Sequence, residues 1–146
     1  MQIGGFQKTS LLDYPDTISA IIWTVGCNFK CPFCYNPQLV QKKTDCISEE
    51  EVLSFLKKRK GLIEGVSISG GEPLLQKDII DFIKKVKKLE YLVKIDTNGT
   101  FPDKLKYLIE KKLVDYIAMD VKAPKGKYKQ LSGVKTNIKH IEESID

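Results

Sequence analysis

Gly26-Cys27-Asn28-Phe29-Lys30-Cys31-Pro32-Phe33-Cys34-Tyr35-Asn36-Pro37 is the stretch on which the reading of this chain turns. Three thiols, spaced Cys-x3-Cys-x2-Cys, follow directly on an apolar run from Ile18 to Val25. A loop this short can wrap three thiolates around one soft metal centre, and iron–sulfur clusters are held at spacings of this kind. Three local thiolates leave one corner of a four-cornered centre for another ligand. Two plainer readings compete: ordinary buried thiols, or a structural zinc closed by Cys46. Cys46 lies twelve residues beyond Cys34 and has no partner at Cys-x2-Cys spacing, which favours the three-ligand cluster.

The flanking sequence sets that loop in an α/β chain. Ile18 to Val25 is β-branched and nearly continuous, as expected of a strand buried on both faces. Residues 1–17 read as an irregular or hairpin-like lead-in. After the Cys loop, Ser48 and Glu51 form a capping box that opens a helix to about Lys60, with Val52, Phe55 and Leu56 on one face and Gly61 as the stop. A second strand, Val66 to Ser69, ends at Gly70-Gly71-Glu72-Pro73. Helix two, Lys77 to Glu90, sets Ile79, Ile80, Ile83, Val86 and Leu89 against a lysine-rich outer face. Strand three, Leu92 to Asp96, ends at Thr97-Asn98-Gly99-Thr100. Pro102 opens helix three, with Leu105, Leu108 and Ile109 inward. Strand four, Tyr116 to Asp120, leads into Val121-Lys122, and a short helix is expected from Asn137 to Glu143.

Strands alternating with helices indicate a parallel sheet of about four βα units with right-handed crossovers. Ligands of such folds gather at the C-terminal strand ends. The Cys loop, Gly-Gly-Glu-Pro, Asp96-Thr97 and Asp120-Val121-Lys122 all fall there. Each also has a bland reading: local packing for Phe33 and Tyr35, a tight turn for Gly70 to Pro73, and a strand exit for Asp96 to Gly99. His140 is the single histidine and is expected at the surface.

Composition narrows the function. At 146 residues, with 42% apolar residues, the chain suffices for one domain with a core. The net charge of +5 is interleaved, suiting an acidic partner or anionic substrate without calling for nucleic acid. No secretory pattern is visible in residues 1–17, and no apolar run approaches the ~20 residues of a membrane span. A cytoplasmic location is the default, where clustered cysteines read as a metal site rather than disulfides.

These motifs resemble a known family. Cys27, Cys31 and Cys34 after a first strand, with Phe33 before the last thiol, look like the signature of the radical S-adenosylmethionine (SAM) superfamily, and Gly70-Gly71-Glu72-Pro73 is similar to its second motif. Gln7-Lys8-Thr9-Ser10-Leu11-Leu12-Asp13-Tyr14-Pro15, together with the Cys loop, resembles activating proteins of anaerobic ribonucleoside-triphosphate reductase. The resemblance implies a partial radical-SAM (β/α) barrel spanning 1–146 as one domain, truncated relative to the family's (β/α)6 core. It implies a [4Fe–4S] cluster on Cys27, Cys31 and Cys34, with SAM on the open iron. Reductive cleavage of SAM then yields methionine and a 5′-deoxyadenosyl radical, which takes a hydrogen atom from a Gly Cα of a partner glycyl radical enzyme.

The resemblance also assigns roles to side chains. Gly70 and Gly71 present a backbone edge to the SAM amino group, and Glu72 either touches SAM or orders the turn. Asp120 and Lys122 contact SAM. Asp96 and Thr97, with Asp120, help hold a monovalent cation. Phe33 and Tyr35 lie along the adenine. Flavodoxin or ferredoxin is the implied electron donor. Other targets within the same chemistry are an enzyme of the pyruvate formate-lyase type, a small molecule or tRNA. A non-catalytic zinc or iron–sulfur module is the rival from another class.

Overall fold

The computed structural model describes residues 1–146. Five strands stand side by side in chain order: β1 (Ile3–Ser10), β2 (Ser19–Thr24), β3 (Gly65–Gly70), β4 (Leu92–Thr97) and β5 (Tyr116–Met119). β2 to β5 are parallel, as the βα alternation requires, and β1 pairs antiparallel with β2. The helices are α1 (Pro37–Val40), α2 (Glu49–Lys58), α3 (Ile79–Lys88), α4 (Pro102–Glu110), α5 (Tyr128–Ser132) and α6 (Ile138–Ile145). No helix is long and apolar enough to cross a membrane.

One sheet face carries the core. Ala20 and Ile22 of β2, Val66 and Ile68 of β3, and Val93 and Ile95 of β4 share a cluster with Val52 and Leu56 of α2, Phe82 and Ile83 of α3, and Leu105 and Leu108 of α4. Burying each of these side chains larger than Ala20 contributes about 1.5–3 kcal/mol. The alternate residues lie on the other face, where Ile21, Ser67 and Lys94 stand in one register row and Trp23 pairs with Ser69.

The helix signals act as expected. The Ser48 hydroxyl accepts the Glu51 N–H at 3.1 Å, Pro102 begins α4, and Asn137 caps α6 by accepting from Lys139 N. One open expectation is settled and one changes. Of the two readings of the lead-in the hairpin-like one holds: residues 3–10 form an eight-residue strand, antiparallel to β2, whose Ile3 is fully buried. The loop after it folds under the sheet, with buried Tyr14 against Gly65 and Tyr116, and with the Asp13 carbonyl accepting from the Ser67 hydroxyl at 2.8 Å. Ile109 is not inward. It is 52% exposed, because α4 turns only Leu105 and Leu108 into the core. Helices α1 and α5, too short for a readable period, complete the chain.

Leu108→Ala should therefore lower stability by about 2–5 kcal/mol, while Ile109→Lys should stay within about 0.5 kcal/mol of wild type. Urea unfolding of the metal-free chain checks both. Equal costs would return Ile109 to the core.

Candidate functional site

The aligned parallel register brings the exits of β2, β3, β4 and β5 to one end of the sheet, and a cleft of about 390 Å³ opens there. All twelve site residues expected from the sequence line it, among them the three thiols of the Cys loop. Phe29, Asn36, Val40, Ser69 and Asn98 line it as well. Of these, Asn98 was within reach of sequence reasoning, since it lies in the Asp96-Thr97-Asn98-Gly99 exit.

Backbone approach explains the glycines. Gly70 has φ +116°, and a Cβ there would stand 2.3 Å from Thr24 N. A Cβ on Gly71 would stand 2.0 Å from the Gly26 carbonyl oxygen. Gly71 N donates to Thr24 O and Glu72 N to Gly26 O, both at 2.9 Å. The two glycines thus let the β3 exit lie directly against the start of the Cys loop.

Glu72 then joins β3 to β4. Its side chain is 1% exposed, and its carboxylate accepts from Leu74 N at 3.0 Å, the Thr97 hydroxyl at 2.8 Å and Asn98 N at 2.8 Å. Of its two expected roles, ordering the turn is the one these bonds perform. Burial pushes its carboxyl up to about 7, against the opposing pull of those three donors.

The Cys loop is held from its far side. A small second core joins Phe29 to Ala123, Tyr128 and Ile141, with Cys27 and Cys31 packed on it. Lys30 N donates to Ser132 O at 2.8 Å. Gly133 (φ +71°) sits so close that a Cβ would meet the Lys30 carbonyl oxygen at 2.2 Å. Residues 123–141 thus form the bed of the loop, a role no motif in that segment announced.

The thiols suit a cluster better than a single ion. No three Cys, His, Asp or Glu side chains converge as one metal ion requires. A cubane takes each thiolate on a different iron, which fits thiols spread along a loop. Cys46 is exposed and lies outside the cleft, so a closed four-thiolate zinc site is not assembled. Burial pushes the Cys27 thiol up to about 11, against the lowering donation from Phe29 N, and raises Cys31, against the pull of Lys122. Loading the site must therefore release protons.

Two ammonium–carboxylate pairs flank the cleft. Lys122 Nζ donates to Asp120 Oδ2 at 2.7 Å, so the two groups expected on one side of the strand end do meet. Lys94 Nζ bonds Asp96 Oδ1 from the polar sheet face. Both carboxylates expected around a monovalent cation are thus engaged with ammonium groups of the chain. Asp120 N donates to Thr97 O at 2.9 Å, fastening the β5 exit to that of β4. At the rim Phe33 is half exposed, and Tyr35 is almost wholly so at 96%.

Residues 21–146 match the Radical SAM superfamily. The chain belongs to that superfamily. Membership implies a [4Fe–4S] cluster and SAM, and the three-thiol set and adjoining cleft are chemically suited to both. A protein of Methanocaldococcus jannaschii named as a candidate glycyl-radical enzyme activating enzyme is 38% identical over 98% of this chain and 59% of its own length. The 7-carboxy-7-deazaguanine synthase of Methanospirillum hungatei is 39% identical over 68% of this chain and 39% of its own length. The structure of TYW1 with a lysine-pyruvate adduct bound shares the fold, with a TM-score of 0.54 at 22% identity over 87% of this chain and 49% of that one. The chain thus spans roughly 40–60% of the length of these relatives.

The raised Glu72 carboxyl has a consequence for stability. Folding disfavours its ionised form, so its contribution is fully present below about 4.5 and is lost as pH rises through about 7. Wild type should lose stability relative to Glu72→Gln across that window. Urea midpoints of the metal-free proteins measure this. A constant difference between the two would mean that the carboxyl is not raised.

Proposed function

We propose that this chain is the radical-generating domain of an activase that installs a glycyl radical on a partner enzyme, with anaerobic ribonucleoside-triphosphate reductase as that partner. The observation that carries the reading is the gathering of Cys27, Cys31 and Cys34 at the strand-end cleft, with Cys46 exposed outside it. A cluster on three thiolates keeps an iron for a chelating ligand, which is the requirement of SAM chemistry and not of a closed structural site. Similarity to an activating enzyme over 98% of the chain supports the choice of target class.

In this reading Cys27, Cys31 and Cys34 hold the cluster. Gly70 and Gly71 offer a backbone edge to the SAM amino group, while Glu72 keeps that edge in place. Lys122, steadied by Asp120, sets an ammonium beside the SAM carboxylate. Asp96 and Thr97 form the adjoining wall, and Phe33 and Tyr35 run along the adenine. Cluster and SAM together supply a radical able to take a hydrogen atom from a Gly Cα–H; the protein supplies binding, orientation and exclusion of water. Flavodoxin or ferredoxin provides the electron, in the cytoplasm. Small-molecule chemistry is the second reading, favoured by the 39% identity to the deazaguanine synthase.

Anaerobic reconstitution and reduction with SAM should yield 5′-deoxyadenosine and methionine in equal amounts. With the reductase present, a glycyl radical signal should appear in its EPR spectrum. Cys31→Ala should abolish cluster and products, whereas Cys46→Ala should keep both. SAM cleavage without a radical on the reductase would exclude that partner. Loss of the cluster in Cys46→Ala would overturn the three-ligand site.

A further inference from the structure

The Asn98 side chain, within a residue only 5% exposed, sits between the β4 exit and the Cys loop. Its Oδ1 accepts the Thr100 backbone N–H at 3.1 Å and the Thr100 hydroxyl at 2.7 Å. A backbone N–H can only donate, so this contact fixes which end of the amide is oxygen. Nδ2 therefore faces the opposite way, towards the Cys loop. One amide hydrogen goes to Asn28 Oδ1 at 2.8 Å. The other is directed at Cys27 Sγ, 4.0 Å from the nitrogen and at the outer range of an N–H···S bond. Asn28 Nδ2 returns to the Thr100 hydroxyl at 2.7 Å. Asn98, Asn28 and Thr100 thus close a ring in which each group has a defined direction, and the hydrogen left over is aimed at the sulfur. The backbone of Asn98 is fixed independently, through its N–H to Glu72 Oε2.

Phe29 N also donates to the Cys27 sulfur, at 3.3 Å. No other side-chain donor reaches a thiol of the loop. Donors to cluster sulfurs are a main protein lever on reduction potential. The reduced cluster carries one more negative charge than the oxidised cluster, so a donor on a ligating thiolate stabilises the reduced form more.

We propose that Asn98 is a positioning residue that raises the reduction potential of the cluster by presenting an amide hydrogen to Cys27, with Asn28 and Thr100 locking the face of the amide. This goes beyond the activase reading, because it concerns the cluster and holds whichever molecule the radical attacks.

The test is a redox titration of the anaerobically reconstituted chain, followed by EPR, with iron and sulfide assayed in parallel. Asn98→Ala removes the donor. Asn98→Asp keeps an oxygen for Thr100 and the shape of the side chain, but replaces the donor with negative charge. Both midpoints should move to more negative potential, Asn98→Asp further. Asn98→Ala should lower the reduced-to-oxidised ratio about tenfold at a fixed potential, which is about 59 mV for a one-electron couple. Thr100→Val keeps the backbone N–H that orients the amide and should shift the midpoint by less than half as much. Loss of cluster content in Asn98→Ala leaves the decision to Asn98→Asp. Wild-type midpoints in Asn98→Asp, or reduced cluster content without a shift, would show that Asn98 only packs the loop and would overturn the proposal. No partner enzyme enters the measurement, so failure to activate a reductase leaves this result unaffected.

Discussion

The Glu72 carboxylate is the contact on which the site end of the sheet depends. A buried carboxyl is costly unless its lone pairs are met, and here three donors from two strand exits meet them. Removing it would strand Leu74 N, the Thr97 hydroxyl and Asn98 N together, each unmet buried donor costing about 1–3 kcal/mol. The turn after β3 is tied from a further side, where Lys104 of α4 donates to the carbonyls of Leu74 and Gln76 at 2.7 and 2.9 Å. Gly71 and Glu72 in turn grip Thr24 and Gly26 of the β2 exit. Three strand ends are thus held as one rigid rim, on which both the Cys loop and the Asn98 ring are mounted.

The Cys loop itself depends on residues much later in the chain. Phe29 packs edge-on to Tyr128 with centroids 6.4 Å apart, and Lys122 N donates to the Tyr128 hydroxyl at 3.2 Å. The segment that carries Asp120 and Lys122 is therefore the same one that supports the thiols. Displacing α5 would move the thiol bed and the Lys122 ammonium together. Gly133 makes that bed possible, since a side chain there would collide with the Lys30 carbonyl.

Much of this was legible in the sequence, and for specific reasons. The Cys spacing, the Ser48 cap, Pro102 and the four parallel strands are local signals, each expressed within a few residues, and the strand-end rule then gathered the site. Contacts remote in sequence were not legible. The bond from Glu72 to Asn98 and the packing of Phe29 on Ile141 join segments whose own patterns say nothing of each other. Ile109 misled because the apolar spacing of α4 is wider than the stripe it buries, which holds only Leu105 and Leu108. The strand β1 was obscured by Gly4, Gly5 and the polar run Gln7 to Ser10, which suit an edge strand and carry no core period.

The polarity of the second sheet face was also present in the sequence. Val66-Ser67-Ile68-Ser69 and Val93-Lys94-Ile95-Asp96 alternate, whereas β2 is nearly continuous. A parallel strand covered by apolar layers on both faces has no use for that alternation. It marks β3 and β4 as apolar on the core face and polar on the other. Lys94 is the clearest case: an ammonium in an almost fully buried residue is tolerated because Asp96 accepts from it, and Asp96 reaches the cleft. The polar positions Ser67 and Ser69 of β3 and Lys94 and Asp96 of β4 therefore lead from the Asp13 contact to the cleft. The same alternation that builds the core on one side builds the wall of the candidate site on the other.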